Sequence, residues 1–370
     1  MKILFITQNL APFRIAWLEA LANYSKADIT VMYLGQYESI TQKEYKNVKS
    51  TILTLRQEGY RVGKIWLYHY NEILNEAHHS DAIIVDGYGF LAQIIMIFFL
   101  RRNQLKFILS ADGGIMPQAE KKIKYTIKKK IITAATAYFS TCPEMDNILM
   151  HYGAEKEKIY RHRFSSVASG DIIEHPLSDN EKNDMKLNLG FTTERLILSV
   201  GKDPEGKGFD VLIKALDKVD QTRCCIVGAS EQAMDDYLTS KNIKWRNKVV
   251  NISYLSKQEL AKYYQAADLF VLPTRHDVWG LVIGEAMANG IPVITTNQCV
   301  AGVNMLSQEQ IVPVDDTFQL ANTINLLFRN MDMLKEIARK QITVIKQYAY
   351  DEAVKDDWKN LQDFLRNKSV

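Results

Sequence analysis

The chain has 370 residues, of which 24% are charged and 47% are hydrophobic, and its formal net charge at pH 7 is +3. This length exceeds what one hydrophobic core usually supports, so we expect two domains. The ordinary composition excludes a disordered or fibrous chain. The near-neutral charge, without an RNA- or DNA-binding signature, argues against a nucleic-acid partner.

The first half alternates short apolar runs with helical patterns, as expected of a parallel sheet. The N-terminal run stops at Gln8-Asn9 without a cleavage site after it, which favours a buried first strand over a signal peptide. The longest apolar run, at 90–100, has about half of the roughly 20 residues that a spanning helix needs, so we expect no transmembrane helix. The predicted strands are KILFIT, DITVMY, DAIIVD, LKFILS and AYFST, and the predicted helices cover 12–23, 89–101 and 118–135.

The alternation breaks at 165–184, a polar segment with mixed charges and a proline, which we interpret as a linker. We therefore predict two doubly wound α/β domains, 1–170 and 171–349, with ligands at the carboxyl ends of the strands and a substrate cleft between the domains. The strands predicted after the linker are RLILSV, TRCCIV, KVVNI, DLFVL and PVITT, and the helices cover 207–217, 231–241, 256–266, 280–289 and 316–329.

The cysteines lack the spacing of a zinc site, and two of them are adjacent in an apolar run. We expect reduced thiols in the core of a cytosolic protein. They are Cys142, Cys224, Cys225 and Cys299.

The stretch SVGKDPEGKGFD, at 199–210, leaves the first strand of the second domain and enters its first helix. Gly201 and Lys207 follow the spacing of a P-loop, but Gly208 stands where a nucleotide triphosphatase needs a hydroxyl for Mg²⁺. Glycines, a helix N-terminus and the charges of Lys202 and Lys207 suit a phosphate ligand. A polar turn with two solvated lysines explains the stretch equally well.

Two acidic side chains lie eight residues apart in LFVLPTRHDVWGLVIGEAMANGIPVITT, at 269–296. Asp277 lies in the loop after a strand, and Glu285 lies in the following helix, which Gly280 opens. This spacing does not put the two acids on one helical face, but it lets them reach separate hydroxyls of one extended ligand. The alternative is that Asp277 is an N-terminal helix partner and that Glu285 is a solvated residue favoured by the helix dipole.

With these stretches the sequence resembles the GT-B glycosyltransferases of family GT4, glycosyl transferases group 1, which are retaining enzymes that use nucleotide sugars. Their C-terminal domains carry G-R-x-x-x-x-K-G, matched here by GKDPEGKG, and later P-S-x-x-E-G-F-G-L-V-x-x-E-A-M-A-x-G-x-P-V-I, matched by PTRHDVWGLVIGEAMANGIPVI. The opening ITQNLAPFRIAWLEALA is similar to that of polysaccharide-assembly members. The resemblance implies a GT-B fold, with an acceptor domain, a donor domain facing it across a cleft, and a C-terminal helix at 350–370 that crosses back to the first domain.

The resemblance also implies a mechanism in which no protein nucleophile is needed. Lys202 and Lys207 would stabilise the departing diphosphate, and Asp277 would bind hydroxyls of the transferred sugar. Asp112 lies where many relatives have a His facing the donor sugar, so we include it among the catalytic candidates. The residues expected at the nucleotide are Gly201, Tyr254, Trp279, Gly280, Leu281 and Glu285, with the carboxylate of Glu285 on the ribose.

Two residues depart from the family pattern. Asp277 replaces the first Glu of a Glu-x7-Glu motif, and Lys202 replaces an Arg, which loses its planar fork. No metal or other cofactor is expected, because the chain has no Asp-x-Asp pair and the two lysines can neutralise the diphosphate.

The predicted function is therefore transfer of a sugar from a UDP- or GDP-sugar to a lipid-linked saccharide acceptor in capsular, exo- or lipopolysaccharide biosynthesis. A nucleotide-sugar epimerase of GT-B architecture and a catalytically silent nucleotide-sugar-binding subunit are the alternatives.

A basic amphipathic segment, EKKIKYTIKKKIITAATAYF at 120–139, lies in the first domain. Its lysines alternate with isoleucines, which is typical of a helix that binds an anionic membrane surface, although a solvated helix face has the same pattern. We predict a cytoplasmic protein that is peripheral on the inner face of the cytoplasmic membrane. The lysines are Lys121, Lys122, Lys124, Lys128, Lys129 and Lys130.

Overall fold

The computed structural model describes residues 1–8, 10–34, 52–57, 59–62, 65–117, 119–247 and 249–368. The chain divides into two compact units. The first unit combines Met1–Ser166 with Tyr350–Val370, and the second unit is Val167–Ala349.

The first unit contains a parallel sheet of buried apolar strands. The strands of the first unit are β1 (Lys2–Thr7), β2 (Asp28–Tyr33), β3 (Thr54–Gln57), β4 (Gly59–Val62), β5 (Ile65–Tyr68), β6 (Ala82–Asp86), β7 (Ile108–Ala111), β8 (Ala137–Ser140) and β9 (Ile159–Arg161). Seven of them form the sheet, in the order β3-β2-β1-β6-β7-β8-β9 with parallel neighbours, and β4 and β5 form a separate antiparallel pair. The helices are α1 (Pro12–Ser25), α2 (Tyr70–His78), α3 (Leu91–Arg102), α4 (Lys122–Ile132) and α5 (Pro143–His151).

The second unit contains a six-stranded parallel sheet between helices. Its helices are α6 (Asp179–Asn188), α7 (Phe209–Leu216), α8 (Glu231–Ser240), α9 (Lys257–Ala266), α10 (Leu281–Ala288), α11 (Val300–Met305), α12 (Thr317–Arg329) and α13 (Met331–Lys346). Its strands are β10 (Arg195–Val200), β11 (Thr222–Val227), β12 (Val249–Ile252), β13 (Leu269–Leu272), β14 (Val293–Thr296) and β15 (Ile311–Val312). The strand order is β12-β11-β10-β13-β14-β15. The chain therefore moves outwards from β10 in one direction and then from β13 in the other, which makes the fold doubly wound.

The last helix, α14 (Tyr350–Lys368), belongs to the first unit and packs against α1. Leu361 and Phe364 are buried in the same apolar core as the α1 side chain Leu18. Beside them Asp357, which is fully buried, accepts a hydrogen bond from the indole N–H of Trp17 at 2.8 Å. The ring Nδ1 of His162 lies 3.0 Å from the same carboxylate.

The predicted α/β architecture is confirmed, and the ten predicted strands are all present. The patterns missed β3, β9 and β15, which have two to four residues each, and the β4–β5 pair. The predicted linker was wrong from residue 179 onwards, because α6 begins there. Ser178 caps this helix by accepting the N–H of Glu181 at 3.3 Å, and the Glu181 carboxylate accepts the N–H of Ser178 at 2.8 Å. This capping box is legible in the sequence as Ser-x-x-Glu.

Within the described part of the chain, none of the helices combines the length and the apolar character that crossing a bilayer requires.

Candidate functional site

The sheet of the second unit has its topological switch point between β10 and β13. These strands are neighbours in the sheet, with Ile197 opposite Leu269. After β10 the chain continues to β11 and β12 at one edge of the sheet, and after β13 it continues to β14 and β15 at the other edge. In open parallel sheets, a crevice forms outside the carboxyl ends of the strands at this point. The loop after β10 carries Gly201, Lys202 and Lys207, and the loop after β13 carries Asp277, Trp279 and Gly280.

The loop after β10 is a closed turn and not a P-loop. The N–H of Lys207 donates to the carbonyl oxygen of Asp203 at 3.0 Å, and the N–H of Gly208 donates to that of Glu205 at 3.1 Å. Gly208 has a φ of +68°, and a Cβ atom there would lie 2.0 Å from the carbonyl oxygen of Pro273. Position 208 therefore cannot accept the Ser or Thr of a P-loop. Because these amides are used inside the turn, an anion here would be bound by lysine side chains.

Lys207 and Asp277 form an ion pair across the switch point. The pair is partly buried, with 23% of the Lys207 side chain and 14% of the Asp277 side chain exposed. Lys202 is exposed and forms no ion pair with any residue that the structure describes. One cation of the site is therefore held by a carboxylate and the other is open to solvent.

Arg275 connects the two loops. Its guanidinium donates to both carboxylate oxygens of Asp210, at 3.0 and 2.9 Å, and to the carbonyl oxygen of Glu205 at 2.6 Å, while its backbone N–H donates to that of Gly206 at 2.8 Å. The hydrogen bond to Asp210 is the main reason why the pKa of Arg275 is raised. Burial disfavours ionisation of Asp210, but the hydrogen bonds and charge of Arg275 outweigh burial and lower the pKa of that carboxyl. Arg275 thus fixes the turn that presents Lys207, a role that the sequence motifs did not reveal.

The loop at 277–279 is also held by the segment after β14. The N–H of Asp277 donates to the carbonyl oxygen of Gln298 at 2.9 Å, and the N–H of Ala301 donates to that of Trp279 at 2.7 Å. Gly280 has a φ of +94°, and a Cβ atom there would lie 2.7 Å from the Cys299 sulfur. A larger residue at position 280 would therefore displace the loop that holds Asp277.

Helix α10 begins immediately after this loop, with Gly280 at its N-cap. The N–H groups of Leu281 and Val282 therefore lack a carbonyl partner within the helix, and the positive end of the helix dipole lies at the same place. A phosphate that reached Lys207 would be stabilised by these amides as well.

Glu285, one turn into α10, lies beside a cavity of about 240 Å³ between α9 and α10. The hydroxyl of Tyr264 donates to the Glu285 carboxylate at 3.2 Å. Burial, with the charge of Glu285 as a second cause, raises the pKa of Tyr264 well above its usual value. Lys257 and Leu260 from α9 also line the cavity, so its lining includes both polar and apolar side chains. The motif predicted Glu285, but the partner Tyr264 carried no sequence signal of its own.

Residues 180–343 match the family model for glycosyl transferases group 1. The second unit contains a glycosyl transferases group 1 domain. An uncharacterised glycosyltransferase of Methanocaldococcus jannaschii is 34% identical over 33% of this chain and 32% of its own length. Mannosylfructose-phosphate synthase of Agrobacterium fabrum is 26% identical over 42% of this chain and 36% of its own length. The chain thus spans about a third of the length of these two relatives. An uncharacterised glycosyltransferase of Haemophilus influenzae is 24% identical over 78% of both chains.

Solved glycosyltransferase structures show the same fold over the whole chain. Sucrose-phosphate synthase of Thermosynechococcus elongatus superposes with a TM-score of 0.76 at 16% identity, with 100% of both chains covered. HepE of Anabaena in complex with UDP-glucose gives a TM-score of 0.75 at 15% identity, again with 100% of both chains covered. The fold is therefore GT-B, as predicted.

The group 1 domain contains all but one of the residues predicted for the site. Tyr254, 59% exposed, follows β12 on the strand-end side of the sheet. Asp112, in contrast, belongs to the first unit and follows β7. The structure places it in an ion pair with Arg14, which also contacts Asp86 at 3.0 Å.

This second cluster lies at the carboxyl ends of β1, β6 and β7 in the first unit. Thr7 donates a hydrogen bond to Asp86 at 2.8 Å, and only 5% of the Arg14 side chain is exposed. Burial, opposed by Arg14 and reinforced by the charge of Asp112, raises the pKa of Asp86 to about 6. The sequence pattern identified neither Arg14 nor Asp86, although a charged residue on the buried face of α1 was a usable signal.

Proposed function

We propose that this chain is a retaining glycosyltransferase that moves a sugar from a UDP- or GDP-sugar to a saccharide acceptor. The observation that carries the proposal is the Lys207–Asp277 pair at the switch point, beside the N-terminus of α10. A cation, free amides and a carboxylate within one crevice match a ligand that joins a diphosphate to a hydroxyl-rich ring. The complexes of HepE with UDP and UDP-glucose, in the same fold, support this ligand class.

In this proposal the second unit binds the donor. Lys207, Lys202 and the α10 amides neutralise the diphosphate as it becomes the leaving group, an interaction that strengthens in the transition state. Release of Lys207 from Asp277 would free the carboxylate to accept hydrogen bonds from the transferred sugar. The departing phosphate takes the proton of the acceptor hydroxyl, so no protein nucleophile is required.

The nucleoside would lie on the α9 side of the crevice. Glu285 accepts hydrogen bonds from the ribose hydroxyls, while Gly201, Tyr254 and Trp279 complete the nucleotide site. We propose that no protein-bound metal takes part, because lysines supply the positive charge. Among the described residues there is no group of three or more His, Cys, Asp or Glu side chains arranged for a metal.

The first unit would bind the acceptor, a lipid-linked saccharide of capsular, exo- or lipopolysaccharide biosynthesis. Asp112, held by Arg14, has a side chain that is 31% exposed at the strand ends of this unit, and its carboxylate would accept hydrogen bonds from sugar hydroxyls. Arg14 and Asp86, which are more deeply buried, would position it.

Helix α4 supports a contact with an anionic membrane surface. Ile123 and Ile127, one turn apart, are 71% and 51% exposed, and Lys130 falls on the same face. Lys128 is excluded from this surface, because its ammonium is paired with Glu120 at 2.8 Å. The remaining lysines of 121–130 are exposed, and each can add about 1 kcal/mol near an anionic leaflet.

The donor proposal is tested by screening nucleotide sugars for thermal stabilisation and then incubating the best donor with and without a lipid-linked saccharide acceptor. We expect transfer with retained anomeric configuration, and nucleotide release that depends on the acceptor. Interconversion of the donor sugar without any acceptor would show an epimerase. Donor binding with no turnover in either arm would show a silent binding subunit.

The membrane proposal is tested by liposome binding of a Lys124→Glu/Lys130→Glu variant. We expect weaker binding to anionic vesicles, and unchanged nucleotide binding, because the second unit is untouched. A Lys156→Glu/Lys359→Glu variant makes the same change of charge elsewhere in the first unit and is the control. An equal loss of vesicle binding in both variants would show that net charge alone explains the binding. No loss of binding in either variant would contradict a membrane contact through α4.

A further inference from the structure

A second polar cavity of the second unit lies at the opposite end of the sheet, where the strands begin. It encloses about 30 Å³ and, with its open mouth, reaches about 350 Å³. Arg195 at the start of β10, Asp268 just before β13 and Pro292 just before β14 line it, together with Lys182 from α6 and Lys335 from α13. No residue of the donor crevice belongs to it.

Two of the cations around this cavity are already compensated. Lys186 contacts Asp268 at 2.7 Å, and Asp268 also accepts the backbone N–H of Leu196 at 2.8 Å. Lys335 lies 3.6 Å from Asp179. The acidic side chains that line the cavity are therefore engaged with these two lysines.

The other two cations have no carboxylate partner among the described residues. Lys182 is only 9% exposed, and its ammonium makes no hydrogen bond or ion pair with any residue that the structure describes. The Arg195 guanidinium contacts the sulfur of Met331 at 2.9 Å and lies 5.5 Å from the ring centre of Phe328. Neither contact neutralises its charge.

A buried ammonium without a hydrogen-bond or ion-pair partner is unfavourable, since the longer-range attraction of Asp268 and Asp179 does not replace the hydration that it loses. Burial lowers the pKa of Lys182, and the attraction of Asp268 does not fully offset it. An anion in the cavity would compensate both Lys182 and Arg195.

We propose that this cavity binds a phosphate group, with its oxygens directed to Lys182 and Arg195. A phosphate suits the cavity because two cations converge on it from different elements, α6 and β10. The enclosed volume accommodates the terminal oxygens, and the open mouth leaves room for the rest of the anion.

The test measures the thermal unfolding temperature of the full chain during titration with inorganic phosphate, at ionic strength held constant with chloride. At a phosphate concentration ten times its Kd, we expect a rise of about 3 °C or more. Lys182→Met should abolish this rise, and should unfold at a higher temperature than wild type without phosphate, because an uncompensated buried charge is gone. Arg195→Gln should reduce the rise. Lys262→Met, which removes an exposed lysine of the same unit, should retain it.

A Lys207→Ala variant separates this cavity from the donor crevice. The rise persists in this variant if phosphate binds at Lys182, and it disappears if phosphate binds in the donor crevice, which overturns the proposal. An equal rise in wild type and Lys182→Met, or no rise in wild type, overturns it as well. Glycerol phosphate added in place of phosphate shows whether the site takes an ester or only the free ion.

Discussion

Lys207 and Asp277 form an ion pair although Asp277 is one methylene shorter than the Glu of the family pattern. The segment after β14 fixes the backbone of Asp277, and Arg275 fixes the turn that carries Lys207. Both side chains therefore meet although they lie in separate loops. Lys207 would act on the leaving group, whereas Glu285 would bind a part of the donor that does not change during transfer, so their replacement should have different kinetic effects.

Lys207→Ala should reduce kcat by about a hundredfold while weakening donor binding much less, because the diphosphate gains charge in the transition state. Donor-saturation kinetics and calorimetric titration of the nucleoside diphosphate measure the two effects. Lys214→Ala, an exposed lysine of α7, is the control. A loss confined to binding would contradict the assignment of Lys207 to the leaving group.

Glu285→Ala should chiefly weaken nucleotide binding, by about 1.5–3 kcal/mol, as for other hydrogen bonds to a charged group. In the proposed site, ribose hydroxyls would contact Glu285 equally in the ground state and the transition state, so kcat at saturating donor should change little. The same calorimetric titration measures the loss. If the variant binds the nucleoside diphosphate with wild-type affinity, Glu285 does not contact the nucleotide.

Asp86 should make the stability of the first unit depend on pH. Its pKa is about 6 in the folded chain, compared with an ordinary value of 3.8. The folded state thus binds this proton more tightly, so its contribution to stability is complete below about pH 4 and is lost as the pH rises through 6. Relative to Asp86→Asn, which cannot titrate, the free energy of unfolding of wild type should fall by about 2 kcal/mol between about pH 4 and pH 7. Urea unfolding of both proteins over this range measures the difference. A difference that stays constant with pH would show that Asp86 does not titrate there.

At the scale of elements, helix α14 is part of the first unit although it lies at the end of the chain. Its apolar face completes the core beside α1, and the Asp357 carboxylate accepts the hydrogen bond that the Trp17 indole N–H donates. Loss of the helix would expose this apolar face and leave a buried indole N–H without its acceptor.

Deletion of 350–370 should therefore give an insoluble or partly unfolded chain, and Leu361→Ala should cost about 2–5 kcal/mol of unfolding free energy. Lys359→Ala, an exposed position on the same helix, should stay within about 0.5 kcal/mol of wild type. Urea unfolding followed by circular dichroism measures both. A soluble truncation with wild-type stability would show that the contact is dispensable.

At the scale of the whole molecule, the two units have separate cores. The main apolar cluster described in the second unit is drawn from 197–337. The first unit needs two distant parts of the chain, Met1–Ser166 and Tyr350–Val370. The two units should therefore respond differently to truncation.

A fragment of residues 167–349 should unfold cooperatively and bind the nucleoside diphosphate within a few-fold of the full chain, because Lys202, Lys207, Asp277 and Glu285 all lie within it. It should not transfer sugar, because the proposed acceptor residues are missing. The matched fragment 1–166 lacks α14 and should not fold. Circular dichroism and calorimetry test both, and an unfolded 167–349 fragment would show that the second unit depends on the first.

The sequence by itself determined the order of strands and helices and the group 1 motifs. Both depend on residues that are close together in the chain: the spacing of apolar residues indicates the elements, and the spacing of glycines and charged residues forms the motifs. Apolar periodicity did not reveal the helix at 179–188, whose signal is its Ser-x-x-Glu capping box, or the short strands β9 and β15, whose two or three residues show no periodicity. Only the tertiary structure decided that Arg275 holds the turn of Lys207, that Arg14 holds Asp112, and that Lys182 is buried without a partner. Such contacts join residues that are distant in sequence, and their energies depend on distance and burial, which no local pattern encodes.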